Sequence, residues 1–88
     1  FTVSDILDMH NNNPNCALTG DKIDLNDTRS WHLDHIIPVS KGGDDSLLNC
    51  QITTRAANMA KGDMSMDEFI SFCSKVLIHH GYTVTNGT

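Results

Sequence analysis

The chain has little of what marks the unusual protein classes. It carries only 2 prolines and 6 glycines, too few for a collagenous or low-complexity chain, and with 39% apolar and 19% charged residues its composition is that of a globular protein. No apolar run approaches the roughly 20 residues needed to cross a bilayer, which excludes a membrane-spanning helix. There is no Cys-x-x-Cys, and Cys16, Cys50 and Cys73 are odd in number and widely spaced, unlike a secreted disulfide framework. They read as reduced thiols of an intracellular protein. Basic residues are scarce as well: 6 Lys plus Arg stand against 11 Asp plus Glu, a formal charge of −5. Bulk electrostatics of that sign would repel polyphosphate, so any nucleic-acid contact must be local. At 88 residues the chain is one domain with a small core, and without an initiator Met or signal segment before Phe1 it is read as a fragment of a larger protein.

The pattern along the chain predicts an α+β domain. Ser4 is placed to cap a short helix carrying Ile6, Leu7 and Met9, ended by Asn11-Asn12-Asn13-Pro14. Residues 16–25, with a turn signal at Thr19-Gly20-Asp21, suggest a small hairpin. The run from Trp31 to Ile37 is the most strand-like in the chain and is closed by Pro38. After the polar loop Lys41-Gly42-Gly43-Asp44-Asp45, a second strand is expected over Leu47–Ile52, then a helix from Thr53 or Thr54 to Lys61, stopped by Gly62. Ser65-Met66-Asp67-Glu68 fits a capping box, and Met66, Phe69, Ile70, Cys73, Val76 and Leu77 recur at helical spacing toward His79 and His80. That last helix, about residues 66–80, is expected to pack on the strand pair and supply most of the core, with Met64, Met66, Phe69 and Phe72 as core and cover and Cys73 as a small buried hydrophobe. His79-His80 reads as a favourable partner of the helix dipole.

Within this frame the chemistry-bearing residues are Asp34, His35 and Asn58. Asp34 offers a hard anionic oxygen suited to Mg²⁺, and Asn58 can add a neutral carbonyl oxygen. His35, whose ordinary pKa lies near 6.5, can take a proton from an attacking water. Together they suit hydrolysis of a phosphodiester. A regular strand sends Asp34 and His35 to opposite faces, so both serve one phosphate only if the strand ends or distorts there, and Pro38 favours an early end. Taken alone, Asp34-His35 is a dipeptide common at solvated strand ends, and Asn49 and Asn58 are residue types ordinary on surfaces. His32 shares a strand face with Asp34 and reads equally as an outer contact or a surface histidine. Lys41, Arg55 and Lys61 flank the motif and are placed to meet phosphates, Lys61 best of the three because it follows Asn58 by one helical turn. Lys22, Arg29 and Lys75 read as solvated.

Trp31-His32-Leu33-Asp34-His35-Ile36-Ile37-Pro38, continuing through Gly42-Gly43-Asp44-Asp45 to Asn49 and then Asn58-Met59-Ala60-Lys61-Gly62-Asp63, resembles the HNH endonuclease family, also called ββα-metal or His-Me finger nucleases. The match spans about residues 16–65 and is similar to phage and restriction-type domains, which points to a bacterial or phage origin, and to the HNH domain of CRISPR effectors. The resemblance implies a small ββα-metal core, here with a short N-terminal helix and a longer C-terminal one. It implies a DNA endonuclease using one metal ion, Mg²⁺ with Mn²⁺ or another divalent ion as substitute, and leaving 5′-phosphate and 3′-hydroxyl ends. By the resemblance His35 is the general base, Asp34 and Asn58 are the metal ligands, and Asn49 holds the intervening loop so that the base is aimed; Lys61 matches a common basic position. Many relatives carry two Cys-x-x-Cys pairs around a structural zinc, which this chain lacks, so structural zinc is not expected. The few basic residues imply that another domain, subunit or guide brings double-stranded DNA. A catalytically silent nucleic-acid-binding module and an RNA or toxin-like nuclease are the alternatives.

Overall fold

In a computed structural model the described residues are 1–86. Helix α1 spans Val3–Asn12, strand β1 Trp31–His35, strand β2 Cys50–Thr54, helix α2 Arg55–Lys61 and helix α3 Met66–His79. The two strands pair antiparallel, with Leu33 opposite Ile52 and Asp34 opposite Gln51, and α2 follows β2 directly, so the centre of the molecule is a ββα unit in an α+β fold. Thr54 closes β2 and caps α2, its hydroxyl accepting from the Ala57 amide at 3.2 Å. Gly62, at φ 56°, ends the helix in a conformation that side chains rarely adopt.

Several boundaries differ from the sequence reading, each for a local reason. Thr2, not Ser4, caps α1, because Thr2 and Asp5 form a reciprocal capping box. The expected hairpin at 16–25 is a tight loop with a single bridge between Asn15 and Lys22, tied by the Cys16 amide to Asp21 O at 2.6 Å and the Ile23 amide to Pro14 O at 2.9 Å. Strand β1 stops at His35 rather than Ile37. Leu47–Asn49 is a single 3₁₀ turn rather than strand, leaving Leu47 and Leu48 exposed. The apolar pair resembles strand sequence, but the chain is still turning there.

The core is not where the periodicity placed it. Its buried centre is Cys16, Ile23, Ile52 and Ala57, flanked by Ile6, Met9, Leu18, Leu25, Trp31 and Leu33. The N-terminal segment therefore covers the hairpin. The Ala17 amide donates to Ile52 O at 3.0 Å, Trp31 Nε1 to Leu25 O at 3.1 Å, and the Cys16 sulfur accepts from the Thr54 amide at 3.2 Å. Helix α3 has the expected Ser65–Glu68 capping box, yet none of its residues is buried: Ile70, Phe72, Val76 and Leu77 are exposed, Cys73 is exposed rather than buried, and Met66 and Phe69 are half-buried, as is Met64 just before the helix. Amphipathic spacing showed a helix with an apolar stripe, but it carries no information on what that stripe meets.

Ile52→Ala should therefore cost about 2–4 kcal/mol of unfolding free energy, while Ile70→Ala should stay within about 0.5 kcal/mol. Urea denaturation of the two variants checks this location of the core.

Candidate active site

Asp34, the fourth residue of β1, sits almost closed off at 6% exposure. Its cross-strand neighbour Gln51 donates from Nε2 to Oδ2 at 2.8 Å. From α2, Lys61 places its ammonium 3.1 Å from Oδ2 and 3.3 Å from Oδ1, and donates also to the His35 carbonyl at 3.2 Å. Lys61 is 1% exposed. This corrects its expected role on the substrate: the helical turn that brings Lys61 beneath Asn58 aims it inward at a carboxylate, not outward at a phosphate.

His35 is the last residue of β1, paired with Cys50, and Pro38 lies just beyond. An open cleft of about 280 Å³ is lined by Asp34 and His35 together with Pro38, Asn58 and Asp63. The His35 Nε2 lies 2.7 Å from Oδ1 of Asp45, a residue whose side chain is 85% exposed. A carboxylate only accepts, so the neutral ring carries its proton on Nε2 and keeps its lone pair on Nδ1. Asp45 thus selects the tautomer that has a basic nitrogen free of protein partners among the described residues.

Asn58, half-buried on α2, points its amide nitrogen at His32 Nδ1 at 3.0 Å. An amide nitrogen only donates, so His32 must accept, and the Asn58 Oδ1 is the end left for another partner. His32 is in this way the side chain that orients Asn58. Asn49 stands apart from the cleft and acts on the loop instead. Its Oδ1 accepts from the Ile37 amide at 2.9 Å, and its Nδ2 donates to Ile37 O at 3.0 Å and Asp44 O at 2.8 Å. Residues 37 to 49 are closed into a ring by one side chain. Gly43 is needed for that closure, since a Cβ there would lie 1.8 Å from Ile37 O.

Lys41 and Arg55 are exposed and neither lines the cleft; Lys41 pairs with Glu68 at 3.3 Å. The structure brings Asp34, His35 and Asn58 together and leaves these two outside. Sequence reasoning gave no role to Asp45 or Asp63, although the acidic pair Asp44-Asp45 in the Gly-rich loop was a visible signal.

Asp34, Asp44 and Asp45 bring acidic groups near the end of β1. The Cys50 thiol is pushed above its ordinary range, first by burial and then by the nearby charges of Asp45, Asp34 and Asp44. Asp44 is held below the usual carboxylate range by the hydroxyl and amide of Ser46. Hard oxygens from Asp34 and Asn58 fit a Mg²⁺ or Mn²⁺ ion that keeps its other positions for water and phosphate. Among the described residues no three or more His, Cys, Asp or Glu side chains group as a metal cage.

Asn49→Ala should cost about 1–3 kcal/mol and erase hydrogen-exchange protection of the Ile37 amide, while the amides of the β1–β2 ladder keep theirs. Exchange measured by NMR checks it.

A comparison with curated proteins finds no match. The profile of the HNH endonuclease family matches residues 16–66, more than half of the 88-residue chain and the whole of the ββα unit just described. The chain belongs to the HNH endonuclease family.

Proposed function

We propose that this nuclease domain hydrolyses phosphodiester bonds of double-stranded DNA with one divalent metal ion, giving 5′-phosphate and 3′-hydroxyl ends. The observation that carries the reading is the cleft shared by Asp34, His35 and Asn58, beside which Asp45 stands 2.7 Å from His35 Nε2. Nδ1 of His35 takes a proton from water as the water oxygen attacks phosphorus, and the bond to the 3′ oxygen breaks, the leaving oxygen taking a proton from solvent water to become the 3′-hydroxyl. Asp45 holds the ring and steadies the imidazolium that forms. Asp34 and Asn58 Oδ1 would hold the metal, with Gln51 and His32 fixing their orientations. Such an ion supplies Lewis-acid stabilisation of charge on the phosphate and the leaving oxygen. Asn49 keeps the loop closed so that His35 and Asp45 meet.

The chain has few cations to offer DNA. Of its 6 basic residues Lys61 is internal and Lys41 is paired with Glu68, so we assign delivery and specificity to another domain, subunit or guide.

Supercoiled plasmid and single-stranded RNA, incubated with Mg²⁺, Mn²⁺ or EDTA, test the proposal. The wild type should cut plasmid only with a divalent ion, and His35→Ala should be at least about 100-fold slower with an unchanged circular dichroism spectrum. Cutting in EDTA, or equal cutting by His35→Ala, would contradict it, and cutting of RNA alone would move the substrate to RNA.

A further inference from the structure

We propose that the Lys61 ammonium is a built-in counter-ion of Asp34 that competes with the divalent ion, so that Lys61 holds the metal site in shape and at the same time sets its affinity low. The inference rests on the reading of Asp34 as a metal ligand. The Lys61 ammonium donates to Asp34 Oδ1 at 3.3 Å and to the His35 carbonyl at 3.2 Å, and lies 3.1 Å from Asp34 Oδ2. With 1% of the residue exposed, the ammonium is closed off from a phosphate in solvent.

The two carboxylate oxygens are not equally held. Oδ2 accepts from Gln51 at 2.8 Å and lies 3.1 Å from the Lys61 ammonium, whereas Oδ1 accepts the longer bond from Lys61 at 3.3 Å. Among the described residues the one hydrogen bond on Oδ1 comes from Lys61, so a metal there crowds Lys61 and leaves the Gln51 bond intact. It does bring a second cation onto a carboxylate that already has one. At 6% exposure for Asp34 there is little water to screen the repulsion between them. Without Lys61 the same carboxylate would be buried with no counter-charge, which destabilises the metal-free fold and favours any cation that can take the place. Helix α2 delivers both sides of this balance, a neutral ligand at Asn58 and a competing charge one turn later.

Mn²⁺ affinity, read by electron paramagnetic resonance on wild type, Lys61→Met and Asp34→Asn, tests the idea without reference to cleavage. Lys61→Met should bind Mn²⁺ at least about tenfold more tightly than wild type and show a larger rise in Tm on adding it, from a lower metal-free Tm. Asp34→Asn should lose at least about tenfold in affinity. Equal or weaker binding by folded Lys61→Met, with binding lost in Asp34→Asn, overturns the competition alone. Unchanged binding by Asp34→Asn overturns the metal reading and the competition with it. Should Lys61→Met not fold without metal, the ¹⁵Nζ resonance of Lys61 in the wild type decides: a shift that saturates with Mg²⁺ supports the shared carboxylate, and a resonance unmoved at saturation overturns it.

Discussion

The carboxylate of Asp34 is where the three elements of the ββα unit meet. It comes from β1, is held by Gln51 from β2, and is neutralised by Lys61 from α2. A buried ion pair of this kind is a poor source of net stability, because removing two charges from water costs about as much as their attraction returns. It is, however, specific. Asp34 can be buried only if β2 is in register to offer Gln51 and α2 is turned to offer Lys61, so the pair ties the register of the hairpin and the rotation of the helix to the position of one carboxylate. The same helical rotation sets Asn58 on the cleft.

The rest of the site is made from the loop between the strands. Asn49 closes it through three hydrogen bonds and Gly43 lets the two backbone segments approach. The loop then returns Asp45 to the end of β1, where it fixes the His35 ring. Asp34 and His35 are consecutive residues of the β1–β2 ladder, and the cleft lies at the end of the strand, where both line it. The apolar core, formed where the N-terminal segment packs on Leu33, Ile52 and Ala57, holds the ββα unit together, and hydrogen bonds and charge then set the polar site on it.

Local features of this arrangement were legible in the sequence and the distant ones were not. The ββα order, the α2 end at Gly62 and the capping box at Ser65 follow from backbone chemistry within a few residues, and each is found. Asp34, His35 and Asn58 were singled out by the resemblance to the HNH family, and the three line one cleft. Lys61 misled because helical spacing gives a face but not whether that face is turned to solvent or to Asp34. Asp45 was overlooked because a loop's path is fixed by bonds such as those of Asn49, which have no periodicity to read. The stripe on α3 was assigned to the core for want of any sign in the sequence that the N-terminal segment already covered the hairpin.

The most direct measurement of the central claim, that Asp34 and Asn58 frame a metal site beside His35, is paramagnetic broadening of backbone amide signals by substoichiometric Mn²⁺. The account predicts broadening centred on Asp34, His35, Asn58 and Asp63, with α3 from Met66 to His79 progressively spared toward its far end. Broadening centred on another acidic stretch, such as Asp21, Asp24 and Asp27, with the cleft signals left sharp, would contradict it.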